Sequence, residues 1–188
     1  MASKIIGDVS VITIFLYLVM QISRFVSKKF LQDNYFQNEL HFPTTDYLLF
    51  SNDKYSLERK EKIRGKVKKD FGVMLLDKEK EVMDEKEARK KISEAVSLIR
   101  NKVKNGRLLL QHNIEYGFIR NLIGGLSISI PFCLFDIFFF GIRSDETAFI
   151  VSLLLFIGYF SFFVFRRNIL VYYAYNYADV LYNEYLSI

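Results

Sequence analysis

The sequence predicts an all-α membrane protein: about three transmembrane helices joined to a small cytoplasmic helical domain, assembled as a cyclic homo-oligomer. Two apolar runs near the carboxyl end, residues 122–142 and 147–165, are each about twenty residues long. That length crosses a hydrocarbon core of roughly 30 Å. Charge is also segregated along the 188-residue chain. Residues 24–120 hold 22 of the 26 Lys and Arg against 15 of the 21 Asp and Glu, a net of +7. Residues 121–188 hold three Arg and five acids. The middle, finally, alternates apolar and charged residues with helical period and helical caps. A total of 51% hydrophobic residues is ordinary for a globular chain, so their distribution decides the class.

The first element, within residues 5–26, is an apolar stretch over 9–26 carrying Ser10, Thr13, Tyr17, Gln21 and Arg24. At 100° per residue these five fall within about 80° of one another, a narrow polar stripe. Three placements fit: a spanning helix that lines a polar pathway, a helix that packs its stripe on a partner, or an amphipathic helix lying in the interface. Spanning is the expectation. "QISRFVSKKF" offers no small-residue cleavage site, which argues against a signal peptide.

Residues 27–120 form the basic domain. "HFPTTDYLLFSND" reads as an extended or turn-rich connection, because Pro43 disfavours helix before it and "SND" is turn chemistry. A helix starts at Ser56, with Ile63, Val67 and Phe71 four apart and Gly72 near its stop. A second opens on a capping box, Asp84 to Glu87. Its apolar face is Ala88, Ile92, Ala95, Val96, Ile99 and Val103, and Asn105-Gly106 ends it. A third run starts at Arg107 and continues into the second span.

Residues 121–165 are expected to form a membrane hairpin, since only "RSDE" separates the two apolar runs. The competing reading is a buried core hairpin of a soluble protein, but "FDIFFFG" and "FIVSLLLFIGYFSFFVF" leave hardly any water-facing positions. Asn121, Gly125, Ser129 and Asp136 project within about 80° on the second span. Gly125 and Ser129 make a small-xxx-small pair, and Gly124-Gly125 would let the helix bend or pack closely. An intramembrane acid costs about 2.5–3.5 kcal/mol on insertion scales, so Asp136 should face protein or water. It either pairs with Arg143 or contributes to a pathway.

Arg24, Lys28, Lys29, Arg120, Arg166 and Arg167 flank the spans on one side. The positive-inside rule therefore makes the basic middle and the tail cytoplasmic and the amino terminus outside. Lys4 alone argues against that. The tail, 166–188, holds six of the twelve tyrosines, and Leu170, Ala174, Tyr177, Leu181 and Tyr185 follow helical spacing. Packing is the expected role of these rings, with stacking on nucleobases the alternative.

Little points to catalysis. Cys133 is the one cysteine and sits in an apolar run, and His41 and His112 are remote from each other without ligand-spaced companions. No cofactor or metal is expected. "GXXXXGK" and "GXGXXG" are absent, and no nucleophile-base or paired-carboxylate constellation is present. The lysine-rich helix "RKEKIRGKVKK" suits either anionic lipid or a phosphate-bearing ligand. Arg64, Lys68, Arg107, His112 and Arg120 are the expected phosphate contacts. Ser10, Thr13, Tyr17, Gln21 and Asp136 are the expected pathway lining, and Asn121, Gly124, Gly125 and Ser129 the packing or gating positions.

The succession "FPTTDYLL", "DEKEARKKISEAVSLIR", "NIEYGFIRNLIGG", two spans and "YAYNYADVLYNEYL" resembles the small transmembrane effectors of the Hailong anti-phage defence system. The resemblance covers most of the chain through loose motifs, and carries no ligand residue over position by position. It implies a tetrameric channel in the bacterial inner membrane, multi-pass, paired with a nucleotidyltransferase. Single-stranded deoxyadenylate oligomers made by that partner would hold the channel closed. Their removal by phage nucleases would open it, depolarise the membrane and arrest growth, an abortive infection. Two rivals stand beside this: a non-conducting membrane anchor or scaffold recruiting a cytoplasmic partner through its basic domain, and a pore needing no ligand.

Overall fold

The computed structural model describes residues 2–37 and 39–188, with side chains from residue 9 onward except Gln32. The Lys4 side chain, which bears on the orientation of the amino terminus, lies outside the described side chains. Every regular element among the described residues is helical. In chain order they are α1 (Ala2–Val26), a π-helical segment (Ser27–Gln32), α2 (Asp33–Phe36), α3 (Pro43–Asp46) and α4 (Leu57–Phe71). There follow α5 (Lys78–Met83), α6 (Glu85–Val103), α7 (Arg107–Arg143), α8 (Glu146–Val164) and α9 (Arg166–Ser187). Among the described residues, three helical stretches are long and apolar enough to cross a membrane: Val9–Phe36, Arg107–Arg143 and Glu146–Val164.

The chain divides into two compact units. An apolar unit combines Met1–Leu31 with Phe118–Ile169, and a polar unit combines Gln32–Gly117 with Leu170–Ile188. The tail therefore belongs to the same compact unit as the middle of the chain.

In the polar unit the expected caps form. Ser56 accepts from the Arg59 amide at 3.3 Å to start α4, and Gly72 ends it in the left-handed region at φ +67°. Asp84 accepts from the Glu87 amide at 3.0 Å to start α6. The core is the α4 pair Ile63 and Val67, the full predicted face of α6, and Leu170, Ala174, Ala178 and Leu181 of α9. Each fully buried Ile or Leu contributes about 1.5–3 kcal/mol. All five tail residues predicted by helical spacing are buried. The Tyr182 hydroxyl donates to the Thr44 carbonyl, and that of Tyr185 to the Asp70 carboxylate at 3.0 Å. The tyrosines of this face are thus packing residues whose polar tips are satisfied internally.

One reading of the middle is narrowed by the structure. The stretch "HFPTTDYLLFSND" is turn-rich but not extended. Pro43, whose fixed φ suits a first helical position, opens the short α3, and the following turns bury Tyr47, Leu48 and Leu49. The segment is a core layer. The short helix α5, absent from the sequence reading, is capped by Asp77 accepting from the Lys80 amide at 2.9 Å.

In the apolar unit the second apolar run continues Arg107's helix without a break, α7 running 37 residues through Pro131. The hairpin turn follows: Ser144 takes φ +57°, and Asp145 accepts from the Ala148 amide at 3.1 Å to start α8.

Candidate functional site

Polar side chains in the apolar unit gather where α1 meets α7. The hydroxyl of Ser23 returns to the Val19 carbonyl at 2.8 Å, which leaves its small body against α7. That of Ser27 donates to the Arg24 carbonyl at 2.9 Å and lies 3.2 Å from the Asn121 side-chain oxygen. A Cβ on Gly124 would meet the Ser23 carbonyl oxygen at 2.4 Å and the Ser27 Cβ at 2.7 Å. On Gly125 it would meet only the Ser23 hydroxyl, at 3.7 Å. Gly124 is therefore the point of close approach, and Gly125 is beside it. Ser27 also opens the π-helical segment, a rare local form that disturbs the regular ladder at this crossing.

The α1 stripe lies elsewhere on that helix. Ser10, Thr13 and Tyr17 are exposed and Gln21 is half-buried. Thr13 turns its hydroxyl back to the Val9 carbonyl at 2.8 Å, while Tyr17 is 55% exposed. Of the second stripe, Asn121 is occupied at the crossing, and Gly125, Ser129 and Asp136 are half-buried. The alternative pairing of Asp136 with Arg143 does not form. The Arg143 guanidinium lies over the Phe139 ring instead, 4.3 Å from its centroid.

In the polar unit most arginines are engaged by the fold. Arg64 donates to the Leu48 carbonyl at 3.1 and 3.2 Å, to the Leu76 carbonyl at 2.6 Å and to Glu81 at 3.3 Å. Its side chain is 10% exposed, and that of Glu81 only 3%. Arg64 therefore leaves the set of free phosphate contacts. It looked available because a lysine-rich helix face is ordinarily solvated. Glu81 accepts as well from the amides of Phe50 and Ser51, at 2.6 and 3.3 Å. Lys60, buried beside them, donates to the Asn52 carbonyl, and burial holds its ammonium below the ordinary lysine range. Arg89 joins Asp46 and Glu85, and Arg100 grips Glu39 at 2.8 and 3.0 Å.

The remaining predicted contacts are distributed. Lys68 and Arg107 are exposed, with no ion pair among the described residues. His112 lies 3.3 Å from Glu115 through Nδ1, and Gln111 donates to the same carboxylate at 3.0 Å. Arg120 is half-buried in the apolar unit. Glu115 is thus held by its own helical neighbours, in keeping with its five-residue offset from Arg120.

Sequence reasoning missed Ser23, Ser27, Glu81 and Glu184. Glu184 of α9 accepts from the Leu109 amide at 3.0 Å, capping the first turn of α7 from across the fold. Only the pairing of distant segments reveals such a role. Among the described residues no cluster of His, Cys, Asp or Glu could hold a metal ion. No protein-family model, curated protein or solved structure matches the chain.

Proposed function

We propose that the protein is an anti-phage defence effector: an oligomeric, ligand-gated ion channel of the bacterial inner membrane. The observation that carries this reading is the α1 stripe. Thr13 and Tyr17 stay on the exposed surface of an apolar helix while a different face, at Ser23 and Ser27, meets α7. In lipid such a stripe calls for a polar neighbour or water, as does the half-buried Asp136. Three spans of one chain enclose little, so copies related by cyclic symmetry, a tetramer by resemblance, would supply the pathway.

Gating follows from the continuity of α7, one helix shared by both units. A nucleotide or single-stranded deoxyadenylate oligomer from a partner nucleotidyltransferase binds the polar unit, facing the cytoplasm. Lys68 and Arg107, exposed and without an ion pair among the described residues, are the cations of that unit that would meet its phosphates once Arg64 is assigned to the fold. Such a ligand holds the channel closed only by binding the closed state more tightly than the open one. Its loss depolarises the membrane and arrests growth.

The rival reading is a non-conducting anchor that recruits a cytoplasmic partner through the basic domain, where Lys68 and Arg107 are exposed. Ion flux from liposomes holding the purified protein separates the two. Flux that falls when deoxyadenylate oligomer is added, and that is lost in Thr13→Leu with Tyr17→Leu, is the expected result. A stable oligomer without flux in the presence or absence of oligonucleotide would establish the anchor instead.

A further inference from the structure

Helix α5 is built with its polarity inverted. Glu81 points inward, 3% exposed and held by Arg64 and the Phe50 and Ser51 amides. The two residues after it, Val82 and Met83, are turned outward and are 81% and 85% exposed. A six-residue helix has few side chains to place, and this one directs its apolar pair away from the core it adjoins. Their surroundings are acidic, since residues 77–87 hold five acids besides the buried Glu81, against three lysines, within a middle region of net charge +7. Glu79, Asp84 and Glu85, flanking the pair, are exposed.

The same unit carries a complementary surface. At the α6–α7 junction a recess of about 460 Å³ is lined by Val103, Leu108 and Ile188, and by Lys102, whose ammonium pairs with Asp70 at 2.7 Å. Leu108 and Ile188 are 59% and 63% exposed, so the floor is apolar and open. Lys104 and Arg107, neighbours in sequence, are exposed as well. Glu184 also lines the recess, but it is directed to the Leu109 amide at the start of α7.

We infer that these are the two halves of one contact between copies of the chain: the Val82–Met83 knob of one copy seats in the α6–α7 recess of the next. An apolar projection with an acidic surround meets an apolar hollow with a basic one, so shape and charge agree. Knob and recess are different patches, so the contact is head-to-tail and repeats around a ring. The inference rests on the oligomeric part of the proposed function and names a surface for it.

Site-directed crosslinking of the full-length protein in nanodiscs tests it, with the oligomer measured separately by mass photometry. Met83→Cys combined with Leu108→Cys, treated with a short bismaleimide, should give a ladder of dimer and higher species. Met83→Cys combined with Ile188→Cys is the second pair, should Leu108→Cys disturb the start of α7. Each single-cysteine variant should remain monomeric on the gel, the native Cys133 being buried. Val82→Glu added to the double variant should lower crosslink yield about tenfold, by placing a charge against the apolar floor. A ladder from Met83→Cys alone would mean a two-fold contact and overturn the inference. So would an intact oligomer without crosslinks in either pair, which leaves the channel reading standing. A monomer in every preparation would remove the oligomer and this contact together.

Discussion

Glu81 shows how much one carboxylate can organise. It anchors α5, receives the Phe50 and Ser51 amides and faces Arg64, which in turn holds the Leu48 and Leu76 carbonyls. Removing one partner of a buried ion pair leaves the other charge uncompensated, a loss of about 3–5 kcal/mol. Glu81→Ala should therefore lower the thermal midpoint of the purified protein and raise amide exchange at Phe50 and Ser51. Glu81→Gln, which keeps one acceptor, should fall between. An alanine variant that melts and exchanges like the wild type would contradict this account. None of it could be read from "KEKEVM", where Glu81 is one charge among several. Periodicity records which side chains are apolar but not which charged ones a distant loop will draw inward.

At the scale of elements, the α1–α7 crossing separates two glycines that look equivalent in sequence. Alanine at Gly124 would place its Cβ 2.4 Å from the Ser23 carbonyl oxygen, a backbone atom that cannot swing aside. Forcing helices apart in a packed site costs about 1–3 kcal/mol. Gly125 meets only a hydroxyl at 3.7 Å, and alanine there should be neutral or gain about 0.5–1 kcal/mol from helix propensity. Melting of Gly124→Ala and Gly125→Ala in detergent should differ accordingly, and equal midpoints would reject the assignment. The sequence reading named both glycines, and which of them meets α1 most closely depends on where α1 approaches. Helices with their own apolar faces, α4, α6 and α9, the first two also capped, were readable from spacing. The core layer at Tyr47–Leu49 was not, because Pro43 and the turn residues mask a segment whose burial comes from long-range packing.

For the whole molecule, the distribution of charge leads to an orientation that can be measured. Arg24, Lys28, Lys29, Arg120, Arg166 and Arg167 lie at the same ends of the three candidate spans, while the α7–α8 turn carries Arg143 against Asp145 and Glu146. Translocation retains cation-rich flanks on the cytoplasmic side, so the turn should face outward and α4 inward. Ser144 is suited to report on the turn, being exposed and in the left-handed region at φ +57°. Lys68 is suited to report on α4, being exposed and without an ion pair among the described residues. In intact spheroplasts a membrane-impermeant maleimide should label Ser144→Cys at once and Lys68→Cys only after the inner membrane is permeabilised. Cys133, 7% exposed within α7, gives the background. The reverse pattern would invert the protein and place the polar unit outside the cell, which would overturn the proposed gating by an oligonucleotide made in the cytoplasm. Equal labelling of both sites before permeabilisation would mean that the hairpin does not span, which removes the pore whatever the flux assay returns.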